Sequence, residues 1–386
     1  MNSALHHKER IVEFVRGIYG PDFIPLHRPV FAGNEKKYLA ECIDSNFVSS
    51  VGQRVNDLEQ QLASFTGARF AIAAVNGTAA LHIALVLAGV RPDDEVMTQP
   101  LTFVATCNAL SYCHAHPVFV DVDKDTLGMS PTAVARFLEA NVVVRDGKAV
   151  NRTTGRRVAA CVPMHTFGLP CRIDEIVKVC SEFGIPVIED AAESLGSYVG
   201  ERHTGTIGAI GTLSFNGNKV ITTGGGGAII TNDEEIAKRA KHLTTTAKRP
   251  HPYEFFHDEV GYNYRMPNLN AALGCAQMEQ LPGFLETKQG IARRYAAFFS
   301  GLGIPFLQAR AGTRSNHWLN AILLESKAER DEFLRYTNDQ GVMTRPIWTL
   351  MNHLPMFSAC QRDDLVNSLE LEQRVVNISS SVPDPR

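Results

Sequence analysis

The sequence has no excess of basic residues, and this absence limits what the chain can bind. Its 386 residues carry a formal net charge of -3 at pH 7, and the pI is near 6.5. Nucleic acids and anionic membrane surfaces attract proteins through clustered lysine and arginine side chains. We therefore expect neither nucleic acid nor a membrane as a partner.

Long apolar runs and paired cysteines are also missing. No segment offers about eighteen uninterrupted apolar residues, and the polar residues 1–10 lack the apolar centre of a signal peptide. The eight cysteines form no C-x-x-C pair and no spacing typical of zinc binding or a disulfide framework. These absences predict a cytoplasmic protein with reduced thiols and no metal site.

The sequence does contain an alternation of short apolar runs and longer helical segments, without an internal repeat. The apolar runs predict strands at residues 70–75, 95–99, 118–122, 158–165 and 186–190. The helical segments between them predict an α/β domain with a mostly parallel sheet. The polar residues 144–157 interrupt this alternation and predict a surface insertion.

The alternation ends after the glycine run Gly224 to Gly227. Helices predicted at 268–278 and 285–302, and strands near 318–323 and 342–344, indicate a smaller α+β domain. We therefore expect an N-terminal segment (1–34), a large α/β domain (35–265) and a small C-terminal α+β domain (266–386).

Two segments at strand ends could hold a planar phosphorylated ligand. Asn76-Gly77-Thr78-Ala79 joins a predicted strand to a helix, where free N–H groups and the helix dipole favour a phosphate. A plain capped turn explains the same residues. Phe103 begins the next helix, where its ring either covers a cofactor or packs in the core.

Two charged residues follow predicted strands. Asp190 ends the strand at 186–190, and ligands of open α/β sheets bind beyond such ends. A buried carboxylate needs a cationic or hydrogen-bonding partner, such as a protonated pyridine nitrogen, although capping of the next turn is an alternative. Lys219 lies on a polar turn between Ser214 and the glycine run. A partly desolvated lysine there can attack a carbonyl, whereas a solvated one would be inert.

As a set, these residues match the needs of pyridoxal 5'-phosphate. Helix N–H groups at Gly77 and Thr78 and the hydroxyl of Ser214 suit its phosphate. The carboxylate of Asp190 would keep its pyridine nitrogen protonated, and the amine of Lys219 would bind its aldehyde. Each feature is weak alone, and together they predict this cofactor.

The chain resembles the DegT/DnrJ/StrS family of sugar-nucleotide aminotransferases, which have fold type I, over essentially its whole length. Four motifs carry the resemblance: residues 76–82, 189–196, 214–219 and 261–266. The resemblance implies that Lys219 binds the cofactor as a Schiff base, that Asp190 pairs with the pyridine nitrogen and that Phe103 stacks on the ring. It also implies a homodimer or larger assembly with shared active sites, in which Asn263 reaches the phosphate of the neighbouring subunit.

The resemblance also suggests a substrate. Glu193 stands where many family members have His or Gln, and a carboxylate there can meet a cofactor phenol oxygen only if it is protonated or bridged. Together with residues 216–219, Glu193 is similar to the perosamine and bacillosamine-type C4 aminotransferases, and residues 98–106, 314–319 and 344–348 most resemble the legionaminic acid subgroup, whose substrates are UDP-linked. The implied reaction transfers an amino group from L-glutamate to UDP-2-acetamido-2,6-dideoxy-4-hexulose. GDP- or dTDP-linked perosamine-type sugars, or a non-catalytic regulatory protein that binds the cofactor, are the alternatives.

Five residues are predicted to contact the substrate. Arg345 and Trp348 lie on one loop of the small domain, where a guanidinium could bind the diphosphate and an indole could cover a base or sugar. We expect His27 and His317 in the same pocket and Ser49 at its mouth. For each of them, a solvated or packing role is the alternative.

Overall fold

The computed structural model describes residues 4–383. Its helices are α1 (Lys8–Tyr19), α2 (Glu35–Asp44), α3 (Gln53–Thr66), α4 (Gly77–Leu87), α5 (Val104–Tyr112), α6 (Pro131–Asn141), α7 (Ile173–Glu182), α8 (Glu234–Thr244), α9 (Asn268–Leu302), α10 (Lys327–Asp339) and α11 (Val366–Arg374). Its strands are β1 (Phe70–Ala74), β2 (Glu95–Thr98), β3 (His116–Phe119), β4 (Val142–Arg145), β5 (Lys148–Asn151), β6 (Val158–Val162), β7 (Ile188–Asp190), β8 (Tyr198–Val199), β9 (Arg202–His203), β10 (Ile210–Ser214), β11 (Gly227–Thr231), β12 (Thr313–Arg314), β13 (Asn320–Leu323), β14 (Arg345–Pro346) and β15 (Val375–Ile378). None of the helices in this range is long and apolar enough to cross a membrane.

Seven strands form one layer in the order β3, β2, β6, β7, β10, β11, β1. Parallel backbone bridges from Cys161 to Val187 and from Met164 to Asp190 join β6 to β7. Neighbours in this layer are parallel except at β11, which runs antiparallel to both β10 and β1. Strand β11 follows β10 without a crossover helix, so the chain reverses there. The predicted α/β fold with a mostly parallel sheet is confirmed.

Helices cover both faces of this sheet. On one face α4, α5 and α8 pack through residues such as Ile83 and Leu110, and on the other α6 and α7 pack through Phe137 and Ile176. Because neither face meets water, every residue of β6 is buried. Each large apolar side chain buried in this way contributes roughly 1.5–3 kcal/mol to the free energy of unfolding. This packing holds the strands in place, and with them the polar residues at the strand ends.

The C-terminal part has its own apolar cluster, which includes residues of a small antiparallel sheet with the strand order β13-β15-β14. Helix α1 packs into this cluster, where Ile11 and Val15 join Tyr295, Phe299 and Phe333. The start of the chain is thus tied to the C-terminal part, although the sequence pattern indicated only an N-terminal segment. The domain boundaries at 34/35 and 265/266 stay a prediction.

One local expectation from the sequence was wrong. Helix α9 is continuous through Pro282, where a break between two helices was expected. A proline inside a helix costs about 3 kcal/mol, and burial of the neighbouring Leu281 and Phe284 offsets that cost. The surface insertion expected at 144–157 overlaps the hairpin of β4 and β5, whose Asp146 and Gly147 both have positive φ, as a two-residue turn of this type requires.

Candidate active site

A cavity of about 320 Å³ lies beyond the ends of β7 and β10 and beside the first turn of α4. It contains the cofactor residues predicted from the sequence with one exception, and also one predicted substrate residue. Its lining includes Gly77, Thr78, Phe103, Asp190, Glu193, Ser214, Lys219 and Trp348. Residues far apart in sequence therefore meet at one edge of the sheet, as the parallel topology requires.

The first turn of α4 forms an anion-binding corner. The Asn76 side chain caps the helix by accepting a hydrogen bond from the Ala79 N–H at 2.7 Å. In the described part of the chain, this cap leaves the N–H groups of Gly77 and Thr78 without a partner within the helix. Ser214 adjoins them, because a Cβ on Gly77 would lie 2.8 Å from the Ser214 Cβ. Two N–H groups, a hydroxyl and a helix dipole thus point at one spot suited to a phosphate.

Gly227 explains why the glycine run is needed here. A Cβ at this position would come within 2.6 Å of the backbone of Asn76 and Gly77. Only glycine lets β11 pass this close to the start of α4. The backbones of β11 and α4 therefore approach closely at the anion-binding corner.

Asp190 provides a carboxylate at another point of the cavity. Its Oδ2 accepts a hydrogen bond from the Thr106 hydroxyl at 2.8 Å, and its Oδ1 accepts one from the Ala192 N–H at 3.2 Å. The side chain is largely buried. Two neutral donors fix its direction without neutralising it, so it can bind a cationic ring nitrogen.

The preceding carboxylate, Glu189, has a different role. It is completely buried and accepts hydrogen bonds from the N–H groups of Gly205, Ile207 and Gly208, and it lies 2.9 Å from His165 Nε2. These bonds hold its pKa below the usual range despite burial. Glu189 thus holds a loop against the sheet, and the adjacent Asp190 is the acid that faces the cavity.

Lys219 lies on the turn between β10 and β11, and its side chain is only 13% exposed. Its Nζ lies 3.2 Å from Glu193 Oε1 and 3.9 Å from the centroid of the Trp318 ring. The indole Nε1 of Trp318 donates to the backbone oxygen of Asn218 at 2.6 Å. The turn is thus held between an acid and an indole, and the amine points into the cavity.

The carboxyl group of Glu193 is almost completely buried, and burial raises its pKa to about 7. The adjacent Lys219 and a hydrogen bond from the Phe167 N–H at 2.9 Å act in the opposite direction but are weaker. Glu193 therefore changes charge near neutral pH. This meets the condition that a carboxyl group here must be able to carry a proton if it is to contact a phenol oxygen.

Replacing Glu193 with glutamine should change how stability depends on pH in the cofactor-free protein. The folded state holds the Glu193 proton up to pH of about 7, whereas the unfolded chain loses it near its ordinary value, so this group destabilises the fold as pH rises through that window. Relative to wild type, the free energy of unfolding of Glu193→Gln should rise by roughly 2.5 kcal/mol between pH 5 and pH 8, measured by urea unfolding. The exposed Glu201→Gln is the control, and an equal difference at both pH values would contradict the assignment.

Aromatic rings form one side of the cavity. The Phe103 ring is 49% exposed and lies 6.3 Å from Trp348, which lies 5.2 Å from Phe167. Phe167 in turn lies 6.4 Å from Trp318. The exposed face of Phe103 can cover a planar cofactor, and the two tryptophans bring rings from the C-terminal part of the chain.

The other predicted site residues lie outside this lining. Asn263 and Ser49 are exposed, and the Ser49 carbonyl accepts the N–H of Asn268 at 2.8 Å. Arg345 is also exposed and donates to the Asn338 side chain and the Thr344 carbonyl at 3.0 Å. Their predicted contacts with substrate or with a second subunit stay predictions.

The two predicted histidines lie closer to the cavity. Neither ring nitrogen of His27 has a hydrogen-bond partner among residues 4–383. Burial, together with the charges of Lys288 and Lys219, lowers the pKa of His27 well below its ordinary value. Burial lowers the pKa of His317 to about 4, again with Lys288 nearby. Both imidazoles are therefore neutral at pH 7.

Three residues at the site had no role assigned from the sequence. Thr106 orients Asp190, Trp318 contacts Lys219, and Asn316 holds the backbone at Glu193. Thr106 lies one helical turn after Phe103, a spacing that would have placed it on the cavity side of α5. Trp318 is one of only two tryptophans in the sequence, and both line the cavity.

Comparisons with known proteins agree with this arrangement. The model of the DegT/DnrJ/EryC1/StrS aminotransferase family matches residues 30–383. Bacillus subtilis (strain 168) EpsN, whose name places it among pyridoxal phosphate-dependent aminotransferases, is 38% identical over 335 residues, which are 86% of this chain and 84% of EpsN. GDP-perosamine synthase of Escherichia coli O157:H7 is 36% identical over 336 residues, 87% of each protein.

A solved structure shows the same fold. The aminotransferase TlmJ from Streptoalloteichus hindustanus superposes with a TM-score of 0.83 at 26% identity, and the match covers 93% of both chains. The predictions of fold type I, of pyridoxal phosphate as cofactor and of a transaminase are therefore confirmed. The chain belongs to the DegT/DnrJ/EryC1/StrS family and is a pyridoxal phosphate-dependent aminotransferase.

Proposed function

We propose that this enzyme transfers the amino group of L-glutamate to the C4 ketone of a GDP-linked 4-keto-6-deoxy sugar. The observation that carries the transfer chemistry is the convergence of the Lys219 amine, the Asp190 carboxylate and the free N–H groups of α4 on one cavity. These groups lie on separate elements that the sheet brings together, and each has a task in amino transfer.

The cavity fits the cofactor. The N–H groups of Gly77 and Thr78 and the hydroxyl of Ser214 would bind its phosphate, and Asp190 would keep its ring nitrogen protonated. Phe103 would cover one face of the ring. When bound, the cofactor acts as an electron sink for the charge that develops at the carbon losing its proton.

Lys219 would carry the protons. In the first half of the reaction its amine takes the proton from the α-carbon of glutamate, the amino nitrogen would remain with the cofactor, and water would supply the keto oxygen of the 2-oxoglutarate that leaves. In the second half the amine moves a proton to the sugar C4 as the amino group is transferred there. The side chain of Lys219 is largely buried, which limits the access of water to its amine. Glu193, which changes charge near neutrality, lies within reach to adjust the charge on the amine.

The proposed GDP sugar departs from the UDP-linked substrate that the sequence motifs implied. Full-length relatives named GDP-perosamine synthase are 34 to 36% identical to this chain. These relatives support a perosamine-type substrate better than a substrate of the legionaminic acid or bacillosamine type. Trp348 lines the cavity and would lie against the sugar. His27, Ser49, His317 and Arg345 remain proposed contacts of the nucleotide end.

A second copy of the chain is the proposed protein partner. Two exposed segments carry apolar side chains: Phe47, Val48 and Val51 in one, and Phe255 and Val260 in the other. Apolar residues clustered in this way are typical of surfaces that a partner covers. The second segment leads directly to the exposed Asn263, in keeping with a site completed by the neighbouring subunit.

A labelled donor tests the proposed substrate. The enzyme is supplied with ¹⁵N-labelled L-glutamate and, separately, with GDP-, UDP- and dTDP-linked 4-keto-6-deoxy sugars, and the nucleotide sugars are analysed by mass spectrometry. We expect the GDP sugar to gain the label with a kcat/KM at least about tenfold above the others, the factor given by 1.4 kcal/mol of preference. Preference for a UDP sugar would overturn the GDP assignment. Label in no sugar, with 2-oxoglutarate still formed, would overturn the sugar substrate.

A further inference from the structure

A short segment of the C-terminal part, residues 315–318, links Glu193 and Lys219, two of the ionisable residues that line the cavity. The Asn316 side-chain nitrogen donates to the carbonyls of Glu193 and Leu195, both at 2.9 Å, and its oxygen accepts the Trp318 N–H at 2.8 Å. Trp318 then contacts the turn that carries Lys219. Because the Lys219 amine in turn contacts the Glu193 carboxyl group, these contacts form a closed ring.

The backbone of this ring of contacts is held in uncommon conformations. His317, between Asn316 and Trp318, has a φ of 48°, and Phe167, which donates its N–H to Glu193, has a φ of 59°. Non-glycine residues seldom adopt this left-handed region unless surrounding contacts impose it, and such residues cluster at functional sites. The segment is also packed tightly, since a Cβ on Gly168 would lie 1.9 Å from the Asn316 oxygen.

Helix α9 holds the backbone of this segment through hydrogen bonds. The buried Lys288 donates to the Trp318 carbonyl at 3.3 Å, and it also donates to the carbonyl of Ser380. Gln289 donates to the carbonyl of Ser315. Helix α9 therefore holds the segment that carries the indole, so the position of the indole beside Lys219 is fixed.

We propose that Trp318 is a positioning residue that holds Lys219 in the direction its proton transfers require. The indole N–H fixes the Asn218 carbonyl, and hence the turn, while the ring face holds the amine beside Glu193. An indole face attracts an ammonium group, and the attraction is stronger where water is excluded. This role rests on Lys219 being the catalytic amine of the proposed function.

The variant Trp318→Phe keeps an aromatic ring and loses the N–H that holds the Asn218 carbonyl. The matched control is Tyr295→Phe, which removes another buried hydrogen bond to a backbone carbonyl, that of Ser379, in the same part of the chain. Asn316→Ser is a second variant, since it loosens the segment and leaves the indole intact. Thermal unfolding of each variant is measured first, to check that the fold is kept.

The first measurement uses the cofactor-free protein without substrate. Lysines are acetylated briefly with acetic anhydride, and Lys219 is compared with the exposed Lys238 by peptide mass spectrometry. We expect Trp318→Phe to raise the relative labelling of Lys219 about threefold or more, because the amine is held less firmly by the ring and the turn. Asn316→Ser should act in the same direction, and Tyr295→Phe should leave the ratio unchanged. An unchanged ratio in Trp318→Phe would overturn the positioning role, whatever the substrate is.

The second measurement follows the proton step in the loaded enzyme. With α-deuterated glutamate, Trp318→Phe should show a lower kcat and a larger deuterium isotope effect on kcat, because the proton transfer by Lys219 becomes slower. The KM for glutamate should stay within about twofold of wild type, since ground-state binding is not removed. An isotope effect equal to that of Tyr295→Phe would overturn the proposal, whereas turnover retained in Lys219→Arg would overturn the assigned catalytic amine instead.

Discussion

Replacing Lys219 with arginine should abolish turnover and the visible absorbance that arises from the covalent link between this lysine and the cofactor. The guanidinium keeps a positive charge beside Glu193 and Trp318, so the turn retains its charge balance. It cannot attack an aldehyde or accept a proton near neutral pH, because it stays protonated. We expect kcat to fall by at least about 10³-fold, the combined loss of covalent attachment and of general acid–base catalysis.

The measurement is a steady-state assay with an absorbance spectrum of the purified variant. Lys238→Arg, an exchange on the exposed face of α8, is the matched control and should behave as wild type. Added pyridoxal phosphate should still bind Lys219→Arg without covalent attachment, because the anion-binding corner at the start of α4 and the Asp190 carboxylate are unchanged. Turnover within tenfold of wild type would show that another group carries the proton.

Replacing Asp190 with asparagine should lower kcat by about 10²- to 10⁴-fold while the protein stays folded. The amide oxygen can still accept the N–H of Ala192, and the amide NH2 can donate to the Thr106 hydroxyl, which then accepts instead of donating, so the local structure is kept. The amide has no charge to keep the ring nitrogen of the cofactor protonated, so the electron sink is weaker when the glutamate proton leaves. The loss should appear in kcat more than in the KM for glutamate.

The same variant has an optical signature. The spectrum of the bound cofactor should respond to pH differently from wild type, because the charge on the ring nitrogen is no longer fixed by a neighbouring acid. Asp174→Asn removes a carboxylate that pairs with Arg202 at the surface and serves as the control. If Asp190→Asn kept wild-type kcat and spectrum, Asp190 would be only a cap of the following turn.

Much of the cavity could be predicted because its residues lie at strand ends. In a parallel sheet the carboxyl ends of strands share one edge, so Asp190, Ser214 and the start of α4 had to meet once the alternation of strands and helices was recognised. Asn76 as a helix cap is likewise a local signal. The role of Lys219 could be predicted only in combination with these residues.

The remaining contacts depend on packing between distant segments, and local patterns do not encode that packing. Trp318 meets the Lys219 turn across about 100 residues of chain, and the left-handed backbone at Phe167 has no glycine to indicate it. The continuous helix through Pro282 follows from burial of its neighbours, which overrides the helix-breaking tendency of proline. The Asp146-Gly147 turn, in contrast, is a local hairpin signal that was readable from the sequence.

The most direct test of the central assignment is the position of the transferred nitrogen. The nucleotide sugar formed from ¹⁵N-labelled L-glutamate is examined by ¹H–¹⁵N correlation NMR, which identifies the carbon that bears the label. We predict one ¹⁵N per sugar, bonded to C4 of a GDP-linked 6-deoxyhexose, with one equivalent of 2-oxoglutarate released. Label at another carbon, or a product without label, would contradict amino transfer to the C4 ketone.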